Sequence, residues 1–333
     1  MTRSSRLLAA VLAVAALAAC SPADSEQPSP TRETVTTTAT TRPPPPTTTS
    51  TTTTVPPTTT TTVPSTSTTG APVDLSALRP PSPASDPAGL AAQIQAAEGT
   101  IRDAASTEEQ VASAALAQQV AYRQLGIHPE WDAAVLGAIP EALRRPVQLN
   151  VAARREFRSM HRQLSSVLPA WRIVAPAPHD ELLASFHEAE ATFGIPWKYL
   201  AAIHLVETGT GRIRGTSTAG AQGPMQFMPA TWAAYGGGGD INNTHDAIMG
   251  AARYLAANNA AADIDNALWH YNHSDRYVRG VKLYADLIAE HARASLAYYH
   301  WGVWYLSDSG DVYLPVGYDE PAPVPVAEYL QRL

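Results

Sequence analysis

The chain has a single cysteine, Cys20, so no disulfide can form within it. Basic charge is also scarce. With 23 Lys and Arg against 30 Asp and Glu, the formal net charge is -7, and no positive field is available to hold nucleic acid. The apolar run Leu7 to Ala19 falls short of the roughly 20 residues that a bilayer-crossing helix needs. No tandem repeat is visible.

What is present begins with Arg3 and Arg6 before that run, which has the length and flanks of a signal-peptide core. Leu17-Ala18-Ala19-Cys20 closes it and resembles the lipobox of bacterial lipoproteins. Residues 1–20 are therefore expected to direct export. Lipidation of Cys20 would then anchor the protein at the extracytoplasmic face of the membrane, as part of the cell envelope. From Ser21 to about residue 85, Thr, Pro and Ser dominate, as in Arg42-Pro43-Pro44-Pro45-Pro46-Thr47. Such a segment buries too little to offset its ordering entropy, so a disordered stalk is expected, either bare or O-glycosylated. A flexible coil of about 65 residues spans ~45 Å, and a polyproline-like one approaches ~200 Å.

The composition changes at residue 86. Residues 86–170 read as a helical accessory region without a catalytic signature of their own. Ser106-Thr107-Glu108-Glu109 has the form of a capping box, and further helices are expected from Trp131 to Ile139 and from Glu141 to Leu168. Residues 171–293 continue the helical periodicity after His179-Asp180 and after Pro196. Asn243 or Thr244 can cap one later helix and Asp265 another. Residues 294–333 turn aromatic and β-like. His300 to Leu306, Ser307-Asp308-Ser309-Gly310 and Val312 to Leu314 predict a hairpin that either packs over the helices or binds sugar.

Trp197 to Val206 is apolar on nearly every face, which marks a buried helix, and Glu207 stands at its end before Thr208-Gly209-Thr210-Gly211. There the helix dipole and desolvation both disfavour ionisation, so the carboxyl pKa should rise. An acid kept protonated near neutral pH is what protonation of a glycosidic oxygen requires. The bland alternative is a solvated helix-end carboxylate. Between Ser217 and Trp232, small residues let the backbone approach a ligand, Met225 and Phe227 supply apolar walls, and Gln226 offers a donor and an acceptor.

In order along the chain, Glu207-Thr208, Gly223-Pro224-Met225-Gln226-Phe227, Tyr271-Asn272 and Tyr277-Val278 resemble the motif series of the soluble lytic transglycosylase family. That family shares a lysozyme-like fold with goose-type lysozyme. The resemblance covers about residues 178–293. It implies a lysozyme-like helical catalytic domain; with the N-terminal helical extension and the small C-terminal β-hairpin read above from the residues, a mainly α protein is expected. The resemblance also implies cleavage of the β-1,4 bond between N-acetylmuramic acid and N-acetylglucosamine in peptidoglycan, leaving 1,6-anhydromuramyl ends without a cofactor.

On this resemblance Glu207 is the catalytic acid and base, and Ser217 orients it or the substrate. Met225 and Gln226 contact the sugars beside Phe227, while Tyr271, Asn272 and Tyr277 line the cleft. Thr208, Pro224 and His273-Ser274 depart from the usual Glu-Ser, Gly-Leu-Met-Gln and Ala-Gly, and resemble an actinobacterial-type lipoprotein branch.

Two rivals share these residues. One is a hydrolytic muramidase. It would need a second carboxylate, and residues 208–239 contain neither Asp nor Glu. The other is a non-catalytic peptidoglycan-binding lipoprotein, which has no need of an acid at a helix end. No metal site is expected: His270 and His273 near Asp275 lack a ligand set, and Asp240, Asn242, Asn243 and Asp246 suit helix capping better than calcium. His204, one turn before Glu207, reads as a satisfied core histidine, with tuning of Glu207 as the alternative.

Overall fold

The computed structural model describes residues 73–333; the leader, Cys20 and residues 21–72 of the expected stalk lie outside the described residues. The chain enters through α1 (Pro87–Arg102) and α2 (Glu108–Ile127), then α3 (Asp132–Ala138) and α4 (Glu141–Ser159). Two short strands, β1 (Val167–Leu168) and β2 (Arg172–Ile173), lead to α5 (His179–Phe193), α6 (Trp197–Thr208) and β3 (Ile213–Arg214). Next come α7 (Pro229–Tyr235), α8 (Thr244–Ala257), α9 (Ile264–Tyr271), α10 (Asp275–Ile288) and α11 (Ala294–Tyr299). The hairpin β4 (Val303–Ser307) and β5 (Gly310–Leu314) precedes β6 (Val324–Pro325) and α12 (Val326–Gln331). The protein is mainly α, as expected, and among the described residues its strands form three antiparallel pairs, β1 with β6, β2 with β3 and β4 with β5.

Several boundaries differ from the sequence expectation, each for a local reason. The capping box of α2 is Thr107 with Gln110, one residue later than Ser106 with Glu109: the Thr107 hydroxyl accepts from Gln110 N, and the Gln110 side chain accepts from Thr107 N. Asp263 caps α9 through Asn266 N at 3.0 Å, whereas Asp265 faces Lys282. Helix α4 stops at Ser159, and Val167 and Leu168 instead pair with Pro325 and Val324. Residues 73–85, assigned to the stalk, instead rest on the folded body: Leu75 and Leu78 border a small pocket with Arg212 and His300, and Ala84 N donates to Gln93 Oε1.

Helix α10 organises the interior. Tyr277, Val281, Tyr284 and Ile288 recur at helical spacing and are buried, giving one apolar stripe against which α4 and α6 both pack. Each such side chain contributes about 1.5–3 kcal/mol on full burial. One continuous core joins Leu90 and Ile94 of α1, Leu125 of α2, Phe157 of α4 and Ile203 of α6. Packing therefore shows no break at residue 170, and the N-terminal helices are part of the same body as Glu207.

The hairpin packs. Val303 and Tyr305 on β4 and Val312 and Leu314 on β5 alternate into a second apolar cluster with Trp171 and Ile213. Polar ties then fix it to α2: Gln118 accepts from Trp301 Nε1 at 2.9 Å, and Gln119 holds both Gly302 N and Gly302 O.

Candidate active site

Eight of the twelve residues of α6 are buried, including Ile203, Glu207 and Thr208. The helix ends where Gly209 turns left-handed at φ 58°, with Gly209 N bonded to Leu205 O and Thr210 N to His204 O. Glu207 is therefore held in the last turn, 2% exposed, where burial pushes its carboxyl from 4.5 up to about 8. The Tyr277 hydroxyl, which donates to Oε1 at 2.8 Å, pulls in the opposite direction and is outweighed. Among the described residues no neighbouring charge shifts this carboxyl. The other oxygen, Oε2, is buried without a hydrogen-bond partner. Such an orphan is costly in a folded protein and is more common where chemistry is done.

The loop after α6 is tied back to the helix end. Thr208 Oγ1 donates to Pro224 O at 2.6 Å and accepts from Gly211 N at 3.0 Å. Arg212, 3% exposed, donates to Gly209 O at 3.0 Å and to Tyr299 O at 2.6 Å, so the turn is also fastened to the end of α11. Downstream, Gln222 and Phe227 exchange backbone hydrogen bonds, closing a tight loop with Gln226 at its corner in the left-handed region, φ 49°. A glutamine rarely adopts that conformation, and such strain concentrates at ligand-binding positions.

The expected site residues divide by depth. Gln226, Tyr271 and Ser217 are half-buried and so retain accessible surface. Met225, Phe227 and Tyr277 do not, with exposures of 0%, 3% and 0%. The side chains of Met225 and Phe227 therefore shape the wall from behind rather than touch sugar. Met225 also acts through its carbonyl, which accepts from Tyr271 Oη at 2.7 Å. Phe227 sits in an aromatic layer with Trp232, Tyr254 and Tyr271. Tyr277 belongs to Glu207 rather than to the cleft surface, and Tyr271 stacks parallel to it at 6.4 Å. Asn272, 3% exposed, caps the end of α9.

Ser217 closes a turn with Ala221, whose N–H it accepts at 2.9 Å; it makes no hydrogen bond to Glu207. His204 is not the satisfied core histidine expected. Both ring nitrogens lack partners, and burial among groups such as Phe186 pushes it down to about 3, so it remains neutral. His273 packs edge-on to Trp269, and among the described residues no group of three His, Cys, Asp or Glu is placed to hold a metal ion. Thr208 and Arg212 escaped the sequence reading as site residues. The only signal was the position of Thr208 directly after the candidate acid.

The mainly helical domain, with a buried carboxylic acid of raised pKa at a helix end, is consistent with a lysozyme-like architecture. Residues 184–286, from α5 to α10, match the family model described as transglycosylase SLT domain. This segment is a transglycosylase SLT domain of the soluble lytic transglycosylase family, whose members are peptidoglycan lytic transglycosylases, glycan-cleaving lyases. No curated protein and no solved structure matches the chain.

Proposed function

We propose that Glu207 alone serves as acid and then base, cleaving the β-1,4 bond between N-acetylmuramic acid and N-acetylglucosamine and leaving 1,6-anhydromuramyl ends. The observation that carries this reading is the carboxyl itself: raised to about 8 and, among the described residues, bonded only to Tyr277 with no charged neighbour shifting it. In the first step the Glu207 proton passes to the glycosidic oxygen as the C1–O bond breaks. The resulting carboxylate then takes the proton of the muramyl C6 hydroxyl while O6 bonds to C1. No water is consumed, and the intramolecular attack avoids the entropy of capturing one. A two-carboxylate hydrolase would need a second acid within about 5–9.5 Å. Gln226, Tyr271 and Ser217 are proposed to hold or border the sugars, with Met225, Phe227 and the buried Asn272 behind them.

Digestion of purified peptidoglycan, with the fragments weighed by mass spectrometry, tests the reaction. Muropeptides one water lighter than the reducing form are expected, and Glu207→Gln should lower their yield at least about 100-fold with folding intact. Reducing ends as the first product would favour the muramidase. Absence of cleavage by folded wild-type protein would favour the binding lipoprotein.

The envelope location rests on the leader sequence: lipidation at Cys20 would hold the enzyme at the outer face of a membrane with peptidoglycan in reach. Cys20→Ala should leave the membrane fraction or stall in processing. Unchanged fractionation and processing would remove the anchor from this account.

A further inference from the structure

A second concavity lies among α2, α4, the end of α6 and β4. It encloses about 150 Å³, and its polar lining is Gln119, Arg123, Arg154 and His161. Phe157, Tyr284, Trp301 and Trp304 form its aromatic walls, and neither Glu207 nor Tyr277 lines it.

Three arginines converge here on a single carboxylate. Arg123 at 2.5 Å and Arg154 at 2.9 Å share Asp311 Oδ2, while Arg158 reaches Oδ1 at 3.2 Å. Three cations against one anion leave the cluster under-neutralised. The side chains of Arg123 and Arg154 are each 12% exposed, and the Nε atom of each is buried without a partner. Burial, followed by the charge of Arg154, lowers the Arg123 guanidinium to about 9, with Asp311 opposing. His161, held down to about 4 by burial and then by Arg154 and Arg158, adds no charge at neutral pH.

Fastening the hairpin to α2 and α4 accounts for Asp311, and Arg123 also lies over the Trp304 ring at 4.8 Å, but one or two arginines would suffice for the fastening. Desolvating a further guanidinium costs several kcal/mol unless an anion offsets it. The opening is lined by both Arg123 and Arg154, and that is where the anion fits. Its volume suits a group the size of one amino acid, and the aromatic walls suit an aliphatic flank.

We propose that this cavity binds the terminal carboxylate of an amino-acid-sized group, supplied by the peptide stems carried on peptidoglycan glycan strands. The choice of source rests on the peptidoglycan reading above; the carboxylate chemistry does not.

Calorimetric titration of the full chain with N-acetyl-D-alanyl-D-alanine, its C-terminal amide and acetate tests the proposal. The acid should bind, and the amide should bind at least about tenfold more weakly, as expected for a lost charged hydrogen bond. His161→Trp should fill the opening without touching the Asp311 network, abolishing binding while melting near the wild-type temperature. Arg123→Gln should also lose binding; if that variant does not fold, His161→Trp still decides. Equal affinity for acid and amide, no binding of either, or unchanged binding by His161→Trp would overturn the site. Acetate binding as tightly as the peptide would overturn the peptide as its source. Anhydro products measured on the same preparation separate the two readings. Cleavage without peptide binding defeats the cavity alone, and peptide binding without cleavage defeats the reaction alone.

Discussion

The phenolic hydroxyl of Tyr277 donates a 2.8 Å hydrogen bond to Oε1 of Glu207, joining α10 to the last turn of α6. The bond favours the carboxylate and burial favours the acid; burial wins, which leaves the group protonated at neutral pH. Tyr277 thus fixes the orientation of the acid and limits how far its pKa rises. It is a positioning residue, since its own side chain is fully buried.

Tyr277→Phe is expected to shift the carboxyl further above about 8, because the group that lowers it is removed. The basic limb of the pH profile for kcat/KM should then move to higher pH, while the rate falls about 10-fold or more through lost orientation. A purely structural tyrosine would lower the melting temperature and leave that limb in place.

Glu207→Gln is expected to flatten the pH dependence of stability. With the folded pKa raised from 4.5 to about 8, the native state between those values keeps a proton that the unfolded chain has lost. Wild-type stability therefore falls as pH rises through that window, by up to about 1.4 kcal/mol per unit, and levels off above it. Urea unfolding at pH 5 and pH 9 should show the variant gaining on the wild type at the higher value. Parallel curves for the two proteins would mean that Glu207 is not buried as an acid.

How much of this was legible in the sequence depends on the range of the interaction. The buried helix with Glu207 at its end could be read because Trp197 to Val206 leaves no polar face and Gly209 stops the turn, both local signals. The arginines of α4 carried no such signal. Arg154 and Arg158 look like a solvated face until Asp311, more than 150 residues later, is brought beside them by the hairpin. Likewise the motif order located Tyr271 and Tyr277, but not that one faces the loop carbonyl of Met225 and the other the acid. Which side a conspicuous aromatic turns is set by packing between α6, α9 and α10, and that packing is not written in any one segment.

Thr208 should tolerate loss of its methyl far better than loss of its hydroxyl. Its Oγ1 satisfies both Pro224 O and Gly211 N, and it is fully buried. Thr208→Val strands both groups and is expected to cost about 2–4 kcal/mol. Thr208→Ser keeps both bonds and should cost only about 1 kcal/mol for the lost methyl. Denaturant midpoints compare them directly. Equal losses would show that the hydroxyl does not hold the loop.

Gly223 makes the sharpest test of the loop that carries Gln226. Its φ is 72°, a left-handed conformation that costs other residues roughly 1–2 kcal/mol. A Cβ there would also lie 1.9 Å from Ile241 O, a backbone atom that cannot swing aside. Gly220 provides the control, because at φ 93° it shares the conformational demand yet a Cβ would meet nothing within 4 Å. Gly220→Ala should therefore cost only the backbone term. Gly223→Ala should cost clearly more, and should also lower turnover, because relieving the clash displaces the loop in which Gln226 Nε2 donates to Gly223 O and Met225 O accepts from Tyr271. Melting curves and anhydromuropeptide yields measured together decide the matter. Equal destabilisation by the two alanines, with turnover retained in both, would show that the loop is free to move and that its close approach to Ile241 has no part in shaping the site.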